Sequence, residues 1–332
     1  MTRKCAVIEE SSGVVGERLI EMPKPLEQLS ESEIERKQCI SRVMTHMLKY
    51  LSGKLVNDGF EWLLPVVFSK STDPLWPDPG ASIEKRIEEE FYGKTVRTTL
   101  SMIVHKMVAC SLAYPKLFIL SPNVRIERRE RANSGIHAYE FTQLDFEVRN
   151  AGFKEIRSLV EEMICGLISS LKRRMSEELT FLRNSSKVPE APFRVYDRKE
   201  LESKYGANWE ARLTLETRDP VWVKNIPREF YDFEDFEKGE WDNYDLLLPK
   251  YGEVLSGGRR EWEYSKIIRK MERDGVRKES YELLLELAKD GRLKASAGAG
   301  IGVERLVTWI VGTKHLGEIQ PFPKIPGIVY DL

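Results

Sequence analysis

Two stretches of the 332-residue sequence combine residue types that bind phosphate, a planar base and a charged small molecule. "NVRIERRERANSGIHAYEFTQLDFEV" places Arg125 and Glu127 two apart, and sets Phe141, Gln143, Asp145 and Glu147 at the same spacing on a second run. A period of two sends each set to one face of a strand, and the polar loop between them makes the pair a hairpin. One sheet face then bears an arginine, an aromatic ring and several carboxylates, a mixture that is costly to bury without a ligand. "GAGIGVERL" puts Gly298, Gly300 and Gly302 at alternate positions ahead of Arg305. Glycines along one face leave a bare floor on which something flat can lie. Arg305 falls in the first turn of the following helix, where a cation is unfavourable unless a bound anion uses both it and the free backbone N–H groups. Together these features suggest a nucleotide with its base or ribose on the glycine floor and its phosphates near Arg305.

Such residues need a frame. Ser30 and Glu33 form a capping box ahead of a long helix in which Ile34, Val43, Met47, Leu51 and Leu55 keep helical period. "FEWLLPVVF" reads as a strand interrupted by Pro65, which belongs at a sheet edge or an interface because it cannot donate to a ladder. "SKSTDPLWPDPGAS" reads as a loop, "KTVRTTLS" as a strand and "MIVHKMVACSLAY" as a helix. A charged helical block covers 153–184, followed by irregular, tryptophan-bearing sequence to about 240. The strand-like "YDLLLPKYGEVLSGG" and the amphipathic "SYELLLELAKDG" then lead to the glycine motif. Strands separated by helices of varied length, with hairpins among them, predict an α+β domain built on an antiparallel sheet flanked by helices. The expected organisation is an N-terminal arm over 1–30 and a single domain over 31–332, with a helical and irregular insertion at about 153–240.

Composition narrows the class. Hydrophobic residues make up 41% and charged residues 32% of the chain, as in ordinary globular protein, and 52 Lys and Arg nearly cancel 53 Asp and Glu. A net charge of −1 supplies no global field for nucleic acid, although a local basic patch remains open. Cys5, Cys39, Cys110 and Cys165 are far apart and form no CxxC, which argues against a zinc knuckle or a disulfide framework. No apolar run approaches the roughly 20 residues of a membrane span, and "MTRKCAVIEESSG" lacks the apolar core of a signal peptide, so no membrane association and a cytoplasmic location are expected.

The order of Pro65 after a long helix, Arg125 to Phe141 in a hairpin, and then "GAGIGVER" resembles the three signature motifs of class II aminoacyl-tRNA synthetase catalytic domains. "HAYEF" before an acidic strand, and "GEVLSGGRR", are similar to the aspartyl and asparaginyl branch, and the resemblance covers 31–332. Synthetases of this branch carry an OB-fold anticodon reader ahead of the first motif, and here the first motif's helix begins near residue 31. The shorter architecture resembles the archaeal asparagine synthetases related to asparaginyl-tRNA synthetase, which activate aspartate as its adenylate and transfer it to ammonia.

The resemblance implies a role for each residue. Arg125 grips the α-phosphate, Glu127 contacts the adenine amino group, Phe141 stacks on adenine, and Arg305 holds the γ-phosphate and stacks on the other side, with Gly302 beneath. His137 reaches the terminal phosphates, and Asp245 and Glu253 hold Mg²⁺, for which hard oxygen donors are suited. Ser101 and Lys106 keep the aspartyl-branch spacing, in which the lysine reads a substrate carboxylate. Gly257 and Arg260 complete that clamp, and Asp145 takes the α-amine. Two departures stand out: Ile103 replaces the usual glutamine, and the loop glutamate that contacts the amine is absent, leaving Asp73 or Asp78 as substitutes. The implied activity is an AMP- and pyrophosphate-forming, ammonia-dependent asparagine synthetase that activates aspartate as β-aspartyl-AMP with ATP and Mg²⁺, working as a homodimer without tRNA. An aminoacylating enzyme and a non-catalytic nucleotide or amino-acid sensor are the rival readings, and either carboxylate of aspartate could face the α-phosphate.

Overall fold

The computed structural model describes residues 4–8, 15–19, 21–75, 83–184 and 187–331; Asp78 lies outside the described residues. Lys4–Ile8 and Val15–Leu19 pair as an antiparallel hairpin within the expected arm. Helix α1, Glu31–Asn57, begins at Ser30, whose hydroxyl accepts from the Glu33 N–H while the Glu33 carboxylate accepts from the Ser30 N–H. Val43, Met47, Leu51 and Leu55 are buried along one stripe, whereas Ile34 is left exposed near the start.

An eight-stranded sheet carries the site. Its strands are β1 (Glu61–Trp62), β2 (Lys116–Val124), β3 (Glu140–Arg149), β4 (Arg194–Asp197), β5 (Val221–Lys224), β6 (Asn243–Leu248), β7 (Gly252–Arg259) and β8 (Ser296–Gly302). They lie in the order β4-β5-β6-β7-β8-β3-β2-β1. The expected antiparallel sheet is present through its centre, but both edge pairs, β4 with β5 and β1 with β2, are parallel, so the sheet is mixed. Pro65 falls after the two-residue β1 and not inside a strand, because the ladder stops at Trp62. β4 and β5 come from the stretch expected to be irregular. β5 is buried on both faces except at its last residue, so it lacks the alternation by which a half-buried strand announces itself.

The two faces of the sheet differ sharply. Leu144 and Phe146 of β3, Leu246 and Leu248 of β6, and Ala297, Ala299 and Ile301 of β8 pack with the buried stripe of α1. The same core takes in α3, Phe153–Arg174, whose Ile156, Val160, Ile164, Leu167 and Leu171 recur at helical period. It also takes in Leu306, Val307 and Ile310 of α5, Val303–Val311. Glu161 of α3 is buried yet satisfied, accepting from Trp222 Nε1 at 2.9 Å and the Phe193 N–H at 3.0 Å. On the opposite face the register aligns Asp145, Gly300, Ser256 and Asp245 in one row across four strands. A second apolar cluster closes over that face, joining Ile103, Val104 and Met107 of α2 (Ile103–Leu112) to Phe230, Tyr231, Ile267, Met271 and Leu284.

Because Leu51 is 1% exposed at the seam of α1 with the sheet, Leu51→Ala should lower the unfolding free energy by about 2–5 kcal/mol. Urea denaturation checks this, and a loss below about 1 kcal/mol would mean that the seam is not packed as a core.

Candidate active site

Two adjoining cavities lie on the polar face of the sheet. The first is lined by Arg125, Glu127, His137, Phe141, Gly302 and Arg305 among others, so the residues expected around a nucleotide converge. Arg125 follows β2, where its Nε–H donates to the Leu100 carbonyl at 2.9 Å and its guanidinium lies 5.3 Å from the Phe141 ring centre, a cation–π distance. Arg305, in the first turn of α5, is aimed by its Nη1–H groups, which donate to the Glu253 carbonyl (3.0 Å) and carboxylate (3.4 Å), and by Nε–H to Ile136 O (3.3 Å). Glu127 is buried and accepts from Arg131 Nη1 at 2.9 Å; burial raises its carboxyl pKa against the pull of the nearby arginines.

His137, expected to reach the terminal phosphates, lines this cavity. Burial, with Arg305, Arg131 and Arg125 adding repulsion, pushes its pKa down to about 3, so the ligand-free ring is neutral and Nδ1 pairs with Ser134 Oγ at 2.6 Å. Glu304, which spacing did not single out, also lines this cavity. Both its oxygens accept from the Thr142 N–H at 2.9 Å, and burial raises its carboxyl to about 7.

The second cavity, about 180 Å³, is lined by Ser101, Lys106, Asp145, Gly257 and Arg260, with Asp73, Arg228, Glu229, Tyr231 and Asp232 around them. Lys106 is 2% exposed and already engaged. Its ammonium donates to Asp145 Oδ1 (2.8 Å), Ala299 O (3.2 Å) and Phe146 O (3.4 Å), and lies 3.7 Å from Glu147. Arg260 bridges Glu147 (Nε, 3.1 Å) and Asp232 (Nη1, 2.6 Å). Neither cation stands bare to meet a carboxylate, as the sequence pattern suggests; each is held by acidic side chains of β3 and of the segment before β6. Asp145 Oδ2 has no partner and is buried, an acceptor consistent with the expected amine contact. Asp73 is buried and accepts from the Tyr231 hydroxyl at 3.1 Å.

Asp245 of β6 and Glu253 of β7 lie on neighbouring strands, but only Glu253 lines the two cavities, and a third residue engages Asp245. Arg228 Nη2 donates to both Asp245 oxygens, at 2.6 and 2.7 Å. Burial, together with Glu253 and Glu210, raises the Asp245 carboxyl to about 7 despite Arg228. Glu210, on α4 (Trp209–Glu216), accepts from the Glu253 N–H at 3.2 Å. Among the described residues no group of three or more His, Cys, Asp or Glu could by itself hold a metal. Two carboxylates nevertheless suit Mg²⁺, which keeps several waters and takes the rest of its shell from substrate phosphates. Glu210, Arg228, Glu229 and Asp232 carry no spacing signal, because "NWEARL" and "IPREFYDFED" lie in loops and a short helix where no period marks a shared face.

The glycine floor serves two purposes. Gly300 and Gly302 line the nucleotide cavity. A Cβ at Gly300 would lie 2.8 Å from Asp145 Oδ1 and 2.9 Å from Gln143 Nε2, and one at Gly298 would collide with the Glu147 carboxylate. Part of the bare strand therefore makes room for this protein's own acidic side chains, and not only for a flat ligand. Gly257 is confined likewise, its Cβ position being 2.6 Å from Tyr244 Cε2.

Residues 42–326 match the family model described as tRNA synthetases class II (D, K and N). The asparagine–tRNA ligase of Clostridium novyi (strain NT) is 26% identical over 273 residues, 73% of this chain and 58% of the relative. That of Thermococcus gammatolerans is 29% identical over 307 residues, 84% of this chain and 69% of the relative. The chain thus spans under two thirds of the length of several curated relatives. The asparaginyl-tRNA synthetase of Pyrococcus horikoshii, solved with asparaginyl-adenylate, superposes with a TM-score of 0.80 at 24% identity, over 94% of this chain and 76% of that one. At that identity the likeness speaks for the fold.

Removing one side of the buried charge network is expected to unfold it and not merely to weaken a ligand: Lys106→Leu should cost about 3–5 kcal/mol of stability by leaving Asp145 unpaired. A variant as stable as the parent in urea would overturn this. Glu304 makes a pH prediction. Its folded pKa of about 7 lies above the ordinary 4.5, so the folded state holds the proton more tightly, and stability is fully present below 4.5 and lost as pH rises through 7. The loss amounts to up to about 3 kcal/mol, and Glu304→Gln should remove that component. Identical pH slopes in parent and variant would exclude it.

Proposed function

Because the chain belongs to the class II tRNA synthetases of the D, K and N group, we propose that it is an AMP-forming ligase that activates aspartate with ATP and transfers the acyl group to ammonia. The observation that carries this reading is the junction of the two cavities at Arg125, where the nucleotide cavity meets a second pocket that keeps Lys106 at the aspartyl-branch spacing from Ser101. A carboxylate oxygen of aspartate attacks the α-phosphorus, the bond to the bridging oxygen breaks, and pyrophosphate leaves with that electron pair. The nitrogen of ammonia then attacks the acyl carbon, AMP leaves with the electrons of the C–O bond, and the nitrogen sheds a proton. The carboxylate is already ionised, so no general base is required for the first step. Arg125 stabilises charge on the α-phosphate, while Phe141, Arg305 and Glu127 position the nucleotide. Asp245 and Glu253 are the residues that would hold Mg²⁺, which supplies charge neutralisation to the phosphates when bound.

Ser101, Gly257 and Asp145 shape the amino-acid cavity, with Asp73 taking the place of the missing loop glutamate. An aminoacylating enzyme is the second reading, favoured by the relatives' names and by Arg129 in the hairpin loop, whose side chain is 73% exposed beside a run of arginines. A homodimer fits the exposed apolar ribbon of Trp62, Leu64, Val67 and Phe68, of which Leu64 is 88% exposed.

Incubation with ATP, Mg²⁺ and aspartate is expected to release pyrophosphate and, with ammonium, to form free asparagine. Acylated tRNA without asparagine would transfer the assignment to the second reading, and no aspartate-dependent pyrophosphate would reject both. Sedimentation should find a dimer that Leu64→Asp splits; a parent protein that stays monomeric would exclude the ribbon as an interface.

A further inference from the structure

A third cavity, of about 310 Å³, opens between the start of α1, residues 21–24 and the segment that follows α5. It shares no lining residue with either cavity of the candidate active site, and its volume is that of a small-molecule site. Met22, Leu29 and Ile40 form its apolar wall, and Lys24, Arg36, Lys37 and Lys314 bring positive charge to it.

Lys37 is the residue that calls for a ligand. It is 8% exposed, yet among the described residues its ammonium makes no ion pair within 4 Å and donates no hydrogen bond. Lysine is almost never buried unpaired, because an ammonium withdrawn from water loses its hydration without compensation. The carboxylates of the cavity wall are committed to other donors. Glu33 accepts from Lys24 Nζ and from the Ser30 N–H, each at 2.8 Å. Glu318 accepts from the N–H groups of Lys314 (3.2 Å) and His315 (3.1 Å), and Glu21 is exposed. Burial draws the Lys37 pKa down against the attraction of Glu318, the behaviour of a cation lacking its counter-ion. Arg36, half-buried, and Lys314, exposed, likewise have no side-chain partner among the described residues. Three cations with free donors therefore face one cavity. A carboxylate would bring one charge and two oxygens, whereas a phosphate group brings nearly two charges and three strong acceptors, which Arg36 can grip as a fork. A cavity of this size takes a free anion whole; a phosphate within a polymer would have to carry its flanking sugars in with it.

The cavity and the nucleotide site lean on the same segment. Lys314 and Glu318 line this cavity, while Leu316 between them lines the nucleotide cavity. The Leu316 N–H donates to Gly135 O at 2.8 Å, and the wholly buried His315 ring pairs through Nε2 with Ala132 O at 3.0 Å. A Cβ at Gly135 would collide with the Lys314 carbonyl, so the hairpin loop lies directly on this segment.

We propose that the third cavity binds a small phosphate anion, held by Lys37 with Arg36 and Lys314, and that its occupancy braces residues 314–318 beneath the hairpin loop of the nucleotide site. Binding on the two sides of the segment is then linked, and the linkage is reciprocal. The site stands whichever reaction the catalytic face performs.

Titration calorimetry of the nucleotide-free full chain with inorganic phosphate and, separately, with pyrophosphate tests it. A saturable site is expected in the parent and in Lys37→Arg, weakened about 10- to 100-fold in Lys37→Met, as for a lost hydrogen bond to a charged group. Lys314→Gln, at the exposed rim, should weaken it about 2- to 5-fold. Binding of phosphate assigns the site to a single phosphoryl group and binding of pyrophosphate alone to a diphosphate, and either supports the proposal. Equal binding in the parent and Lys37→Met would place the anion elsewhere, and no saturable binding of either anion would leave no site; both outcomes overturn it. In urea without added anion, Lys37→Met should be at least as stable as the parent, because it removes an unpaired buried charge. A marked loss of stability would mean that the ammonium is already paired and would overturn the premise. Phosphate should also slow amide hydrogen exchange over 132–135 and 314–318 in the parent and not in Lys37→Met; unchanged exchange in the parent would overturn the bracing.

Discussion

The buried network that runs from Lys106 through Asp145 and Glu147 to Arg260 and Asp232 is the constraint around which the catalytic face is built. Glu147 is wholly buried and is shared by the Lys106 and Arg260 cations and the Ser296 hydroxyl. Charges at this depth persist only when each has a partner of good geometry, and that requirement ties α2, β3, β7 and β8 to one another at the floor of the amino-acid cavity. It also explains why β8 is so bare. Gly298 lies opposite Glu147 and Gly300 opposite Asp145, where a methyl group would displace the carboxylates on which the cations depend.

The sheet separates two demands that conflict within one core. Its helix-covered face is apolar and close-packed, giving the stiffness that holds charged groups within hydrogen-bond reach. Its other face carries the cross-strand row of Asp145, Gly300, Ser256 and Asp245, so these side chains are placed by one register. A slip of one residue in β3 or β8 would send Leu144 or Ile301 into the cavity and Asp145 into the core. Stability and catalytic geometry therefore depend on the same ladder.

Electrostatic imbalance organises the rest of the site. Around the nucleotide cavity Arg125, Arg131 and Arg305 stand among Glu127, Glu253 and Glu304, and burial together with repulsion from the three arginines keeps His137 neutral. Beyond Arg125 carboxylates prevail, with Asp73, Asp145, Glu229, Asp232 and Glu253 lining the second cavity beside Lys106, Arg228 and Arg260.

Much of the site was legible in the sequence because its residues sit on regular elements. Period two placed Phe141, Gln143, Asp145 and Glu147 on one face of β3, and the glycine alternation located β8 and the first turn of α5 with Arg305. The capping box marked the start of α1, and the spacing from Ser101 to Lys106 survived as a helix that reaches the amino-acid cavity. What only the tertiary structure decided is who shares each charge. Lys106 and Arg260 turned out to be held by the protein's own carboxylates, and Asp245 to be gripped by Arg228. Glu229 and Arg228 come from a segment without periodicity, and β5 hides its strand character by being buried on both faces. Spacing along a chain reports which side of an element a residue occupies. Charge pairing is a through-space property, dependent on inverse distance and on burial, and residues more than a hundred positions apart meet only once the sheet has brought them together.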